Sequence, residues 1–154
     1  MIEKSISRIL KYGTIASTYL LVGSVLLQIF ARYLLPSTPA WTEESSRLFF
    51  VYAIAFASGL ALKEAYYVHM EVFFDRFPQW AKRVLSVLTP IMLFLLLLCV
   101  AVYSVSFVVL GISERSPSMK FSMSYVFFSM VIMAVSMSYF AFKDLLNSIR
   151  EAAQ

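Results

Sequence analysis

One cysteine (Cys99) and one histidine (His69) are all that this chain of 154 residues offers of the side chains that most often bind metals or act as nucleophiles. A disulfide within the chain needs two thiols, a zinc site takes three or four Cys, His or acidic ligands, and a bis-histidine haem needs a second imidazole. Charge is scarce as well: 14% of residues are charged, where a soluble domain averages about 25%. The deficit is filled by apolar side chains, 60% of the chain, with 14 Phe and 9 Tyr. A domain of this length cannot bury such a surplus in its own core, and a mean hydropathy of +0.78 has nowhere to go but lipid. Disorder is excluded by the same composition, since unfolded chains are polar and highly charged. The net charge of +4 and pI near 9.3 would fit a nucleic-acid binder in a soluble protein. In a chain this apolar the basic residues are topology signals, and no nucleic-acid partner is expected.

Charged residues punctuate the sequence into four neutral runs, Tyr12 to Ala31, Leu48 to Leu62, Val84 to Ser113 and Phe121 to Phe142. About 20 apolar residues of helix cross a hydrocarbon slab of about 30 Å, so four transmembrane helices are expected. The fold class is therefore an all-α integral membrane protein forming a single domain over residues 1–154. Its spans are expected at about 12–35, 42–63, 84–112 and 121–143. The second run becomes long enough only if its helix opens near Thr42, with Glu43, Glu44 and Arg47 in the first turns at the interface. In the third, Pro90 marks an entry turn or a kink, because proline lacks a backbone donor.

Nine of the 13 basic residues fall on one side: Lys4, Arg8 and Lys11, then Lys63, Arg76, Lys82 and Arg83, then Lys143 and Arg150. Arg32, Arg47, Arg115 and Lys120 lie on the other. The positive-inside rule puts both termini in the cytoplasm. The first run is longer than a signal-peptide core and no A-x-A-like cleavage site follows it before Arg32, so it reads as a retained helix.

Small and hydroxyl residues recur on single helix faces. Ser17 and Ser24 with Gln28 and Arg32 share one in the first span, Ala53, Ala57 and Ala61 in the second, Cys99, Ser106 and Ser113 in the third, and Ser122, Ser129 and Ser136 in the fourth. Such stripes allow close approach and mark packing seams, within the bundle or toward another subunit. Between the second and third spans, residues about 68–83 set Met70, Phe73, Phe74, Phe77 and Trp80 against Glu71, Asp75, Arg76, Lys82 and Arg83. This is the pattern of an amphipathic segment lying in the interface, divided by Pro78 and anchored by Phe73, Phe74, Phe77 and Trp80 to membrane lipids or to the flank of a membrane partner.

No Asp, Glu, Lys, Arg or His lies inside any of the neutral runs. An autonomous ion-coupled transporter or pump keeps an ionisable group at membrane depth, because coupling requires a charge-binding site there. Glu43 and Arg47, four apart on one helix face, suit an ion pair, and Glu44 is also within reach of Arg47. A lone His69 beside Glu71 lacks the companions of a metal site, and no cofactor is expected.

These residues assemble into a pattern. Arg32-Tyr33 closes the first helix and Trp41-Thr42-Glu43-Glu44-Ser45-Ser46-Arg47 opens the second. His69-Met70-Glu71-Val72 precedes Phe77-Pro78, and Ser116-Pro117 to Tyr125 leads into the last span. Over nearly its whole length the chain resembles the small membrane subunit, of DctQ type, of tripartite ATP-independent periplasmic (TRAP) transporters. It departs where Phe73 and Phe74 stand before Asp75 in place of an earlier Asp, and where Ser122 replaces a proline frequent before the last span. The resemblance implies a non-catalytic scaffold in the bacterial inner membrane, paired with a large membrane subunit that carries the substrate and sodium sites. A periplasmic binding protein would deliver an organic anion to the pair. It also implies that Arg32, Tyr33, Trp41, Glu43, Glu44 and Arg47 fix the outer end of the subunit against its own helices and its partner. Three other readings compete. A small homodimeric four-helix exporter would require a membrane-embedded acid, which the runs lack; a membrane enzyme or redox subunit would need clustered His, Cys or acidic groups, where the chain has one His and one Cys; and an assembly factor for another membrane complex shares every physical feature but the motif pattern.

Overall fold

The computed structural model describes residues 2–34, 39–65 and 79–152. They form four long helices: α1 (Ile2–Leu34), α2 (Ala40–Ala65), α3 (Gln79–Leu110) and α4 (Ser124–Ala152). All four are long and apolar enough to cross a bilayer. At about 1.5 Å per residue, the 33 residues of α1 reach about 50 Å, so its ends stand beyond the hydrocarbon. The interfacial segment expected over residues 68–83, with Phe73, Phe74 and Phe77, lies outside the described residues up to position 78. From Gln79 the backbone is already α3, so Trp80 sits in the first turn of that helix and the helix opens five residues ahead of the neutral run. Pro90 marks no entry turn: it is buried inside a continuous α3, where its missing N–H leaves only the carbonyl four residues earlier without a helical partner.

The helix ends carry the charges their dipoles favour. Glu3 and Glu43 lie in the first turns of α1 and α2, and Arg32, Lys63 and Arg150 in the last turns of α1, α2 and α4. Packing runs α1 on α2, α2 on α4 and α4 on α3, an open row with α1 and α3 at its edges. The apolar stretch of α4 is the most enclosed, 28% buried, and that of α3 the least, 11%. Exposed Met92, Leu95, Leu96, Val102 and Tyr103 along α3 would be untenable in water and are ordinary against lipid or another membrane protein.

Small residues line the seams. Ser17 and Ser24 of α1 are buried, as are Ser129 and Ser136 of α4. Ser104, Ser129 and Ser136 donate to carbonyls of Ala101, Val126 and Met133 in their own helices, so each is small, self-satisfied and needs no partner across the contact. At Gly59 a Cβ would stand 2.7 Å from the Ser136 Oγ and 3.0 Å from Leu10, so the absent side chain is what lets α1, α2 and α4 meet. In two helices the seam within the bundle lies on another face than the stripe, so of the two expectations for these stripes the structure removes only the one inside the bundle. α2 buries Ala55 and Gly59 rather than Ala53, Ala57 and Ala61, and α3 buries Leu97 and Ser104 while Cys99, Ser106 and Ser113 are exposed. In each case the shift is two residues, about 200° round the helix. Small residues occur on both faces there, and α2 is almost evenly apolar around its circumference, so periodicity had no gradient to report.

Candidate functional site

α2 opens at Pro39, whose carbonyl accepts from the Thr42 amide (3.1 Å) and the Thr42 hydroxyl (2.8 Å). Thr42 is almost fully enclosed, and the first turn is fixed further by Ser45 Oγ to the Trp41 carbonyl and Ser46 Oγ to the Glu43 carbonyl, each 2.8 Å. This rigid start aims Glu43 and Glu44 in different directions. Glu43 receives Arg47 Nη2 at 2.6 Å in an exposed i, i+4 pair. Glu44 does not turn to Arg47. Its carboxylate reaches the α3–α4 connection, where it accepts from the Ser116 hydroxyl, from the Ser118 amide (3.0 Å) and from the Met119 amide (2.9 Å). Met119 Sδ also lies 3.6 Å from Ser45 Oγ.

The connection that Glu44 holds is a small hydrogen-bonded hairpin. Gly111 ends α3, its amide bonded to the Phe107 carbonyl (2.9 Å) and its own carbonyl accepting from the Ser124 amide (3.1 Å) and the Ser122 hydroxyl (2.8 Å). A Cβ on Gly111 would come within 2.6 Å of the Phe127 ring and 2.7 Å of the Ser124 nitrogen, so only glycine allows this return. The Met123 amide bonds to Glu114, the Ser116 amide to Phe121, and Lys120 closes the tip back to Ser116 (3.1 Å) with φ at 56°. Left-handed backbone at a lysine is strained, and the carboxylate cap on the preceding turn is one of the contacts that holds it. Tyr52 O–H donates to the Tyr125 carbonyl (2.7 Å) and ties α2 to α4 just below.

At the opposite end, Glu3 of α1 stands between Lys63 of α2 and Lys143 of α4. It accepts a hydrogen bond from Lys143 and lies 3.7 Å from Lys63, which also donates to Ser7 (3.1 Å). Glu3 precedes the neutral run of α1 by nine residues. The Lys143 hydrogen bond, then the charges of Lys143 and Lys63, hold its carboxyl below the usual range against an opposing effect of desolvation. Sequence reasoning missed this triad, because its members lie 60 and 80 residues apart.

Of the residues expected to fix the loop end, the structure joins Glu43 to Arg47 and Glu44 to Ser116. Arg32 and Tyr33 are exposed at the end of α1, and Arg32 makes no hydrogen bond or ion pair among the described residues; Trp41 is 45% exposed. Ser116 was part of the motif pattern, but nothing in the sequence pairs it with Glu44. Among the described residues no three His, Cys, Asp or Glu come together as a metal site. Two of the cavities are apolar: one of about 390 Å³ lies behind the hairpin between Leu20, Phe49, Tyr52 and Phe121, and a larger one of about 770 Å³ between α3 and α4 at Leu95, Cys99, Tyr103 and Met133. Neither gathers the polar groups that would fix an anionic substrate.

Two relatives and a family description match this chain. It is 22% identical over 152 residues to a Haemophilus influenzae protein described as a TRAP transporter small permease, covering 99% of this chain and 92% of the relative. It is 30% identical over 82 residues to the sialic acid TRAP transporter small permease protein SiaQ of Vibrio cholerae, covering 53% of this chain and 47% of that one. Residues 21–151, from the middle of α1 to the end of α4, match the family of tripartite ATP-independent periplasmic transporters, DctQ component. The match covers most of the chain, which therefore belongs to the DctQ family of TRAP small permeases, a transporter component and not an enzyme.

Proposed function

We propose that this chain is the static scaffold of a sodium-coupled importer. It embeds and braces a large membrane subunit that carries the substrate and sodium sites, and a periplasmic binding protein delivers a carboxylate-bearing anion to the pair. Family membership supports the assembly, and the sialic acid named for the Vibrio cholerae relative is itself a carboxylate. One observation carries the division of labour. Glu3, Glu44, Lys63 and Lys143 are engaged in holding the chain's own helices together, and none of the four neutral runs contains Asp, Glu, Lys, Arg or His. A subunit without charge-binding groups at membrane depth does not couple ions by itself, so the coupling belongs to a partner. The exposed edges of the open row give that partner a surface, and Arg32, Tyr33 and Trp41 stand unengaged beside it at the loop end. The excess of basic residues at the terminal end supports an orientation with the termini in the cytoplasm and the Glu44 hairpin in the periplasm.

The test is purification of the tagged chain from its native membranes, with mass identification of what accompanies it. Recovery of one large polytopic protein, and sodium-driven carboxylate uptake by the reconstituted pair with its binding protein, is the expected result. A chain that emerges alone as a homodimer and transports by itself overturns the proposal. Orientation is read separately with Ser118→Cys in a Cys99→Ser background, which an impermeant maleimide should label from the periplasmic side.

A further inference from the structure

The basic residues at the terminal end divide into two sets. Lys63 and Lys143 are matched by Glu3, whereas Lys4, Arg8 and Lys11 of α1 are exposed and have no acidic partner among the described residues. At 100° per residue these three fall in a sector of about 60°. The same sector continues down the helix as Ile15, Tyr19 and Val22, 41%, 75% and 49% exposed, on the edge of the row that none of the other described helices covers. The neutral run starts at Tyr12, so the three cations are spread over about 10 Å of helix directly above it. This is the level of the headgroups, and the long basic side chains reach it readily.

We propose that this face of α1 is a binding site for an anionic phospholipid, with its phosphate among Lys4, Arg8 and Lys11 and an acyl chain along Ile15, Tyr19 and Val22. Three like charges within two turns repel one another and are stabilised by an anion between them. Hydrocarbon immediately below the cations matches an amphiphile with its charge at one end, and does not match a soluble phosphate or an acidic water-soluble peptide. The site uses side chains at headgroup depth and is independent of the Glu3 triad, so lipid occupancy and helix packing are separable. It requires insertion in a bilayer but neither transport nor a large subunit, so its failure leaves the functional reading untouched.

The experiment is native mass spectrometry of the full-length chain released from detergent containing equal amounts of phosphatidylglycerol and phosphatidylcholine with the same acyl chains. Each cation near an anionic surface is worth about a fivefold preference, so the wild-type chain should retain phosphatidylglycerol by at least tenfold and up to roughly a hundredfold. Lys4→Gln/Arg8→Gln/Lys11→Gln should bring the two lipids to near parity, and Arg115→Gln/Lys120→Gln at the other end should keep the preference. The single variants, each expected to lose several-fold, and the wild-type chain at roughly 0.05 and 0.5 M salt, where screening should erode the preference, decide the matter should the triple variant fail to fold. Equal retention of both lipids by the wild type overturns the proposal, as does a preference that survives the single and triple changes. Loss of a co-purifying membrane protein from the triple variant, with no lipid preference in the wild type, assigns the face to a protein partner and overturns it too.

Discussion

Each end of the helix row is tied by one glutamate, and the two ties are built from different chemistry. At the loop end Glu44 meets neutral donors, a hydroxyl and two backbone amides, so its bonds are directional and fix the shape of a hairpin. At the terminal end Glu3 meets two ammonium groups, which attract it with little regard to angle and fix the spacing of three helices rather than the path of a loop. The terminal tie tolerates sliding and weakens in salt; the loop tie tolerates neither a lost donor nor a displaced backbone. The proposed scaffold role would use both properties: a surface of definite shape for a soluble partner to approach, and a compliant clamp where helix ends sit among headgroups.

The largest effect that would sharpen this contrast is expected at Gly111. Gly111→Ala drives a Cβ against the Ser124 nitrogen, which is backbone and cannot swing aside. A loss of about 1–3 kcal/mol of stability is expected, read as a lower midpoint in a thermal melt of the purified chain. A stability unchanged by this substitution would mean that the hairpin is not held as tightly as its bonds indicate.

Next in size is the clasp itself. Glu44→Gln keeps one carbonyl acceptor but turns the second oxygen into a donor facing the Met119 amide, and Glu44→Ala leaves all three donors to water. Limited proteolysis should then cut between residues 114 and 121 well before the helices are attacked. Ser116→Ala removes one donor from a buried hydroxyl position and should cost about 1 kcal/mol, with the hairpin retained. If Glu44→Ala left the connection as resistant as before, the backbone bonds alone would account for its shape.

The terminal clamp should give a smaller effect with an opposite signature. Glu3→Gln should lower the melting point at low salt, and the difference from the wild type should shrink as salt is raised, whereas the deficit of Glu44→Ala should not. Acid gives the same information. The folded Glu3 carboxyl lies below its unfolded value, so its contribution is complete above the ordinary carboxylate range and is lost as pH falls through the lowered folded value. The melting points of wild type and Glu3→Gln should therefore converge only as pH falls beneath the ordinary carboxylate range and through that lowered folded value, where both carry an uncharged side chain. A gap that persists in acid would place the role of Glu3 elsewhere than in its charge.

The residues differ in how plainly they announced these roles. Three spans follow from uncharged runs of 20 residues or more, and the second from a shorter run extended back to Thr42, because lipid imposes a length that each crossing must meet. Ser17 and Ser24 in α1, and Ser129 and Ser136 in α4, were legible as seams because each pair recurs at two-turn spacing and that stripe falls on a buried face. In α2 and α3 small residues lie on several faces, and tertiary contact rather than pattern selected Ala55, Gly59, Leu97 and Ser104. Long-range polar contacts left no trace at all. Glu44 and Ser116 are 72 residues apart, and Glu3 and Lys143 are 140 apart, distances at which no periodicity connects two side chains. Helix-face reasoning sees only neighbours three or four positions away.

That limit explains why the most visible pair is expected to matter least to stability. Glu43 and Arg47 have the favourable order and spacing and do meet at 2.6 Å, but both side chains are more than half exposed, so water competes for each and the pair should contribute only about 0.3–0.5 kcal/mol. A double-mutant cycle of Glu43→Gln and Arg47→Gln in thermal melts should return a coupling of that size. Glu44, one residue along, should show a larger coupling to Ser116 in the same experiment. Neighbours in sequence would then differ because the helix start points one carboxylate at solvent and the other at the hairpin. A coupling between Glu43 and Arg47 as large as that of the clasp would show that a covering surface removes water from the pair, and the loop end of α2 would have to be treated as an interface rather than a free rim.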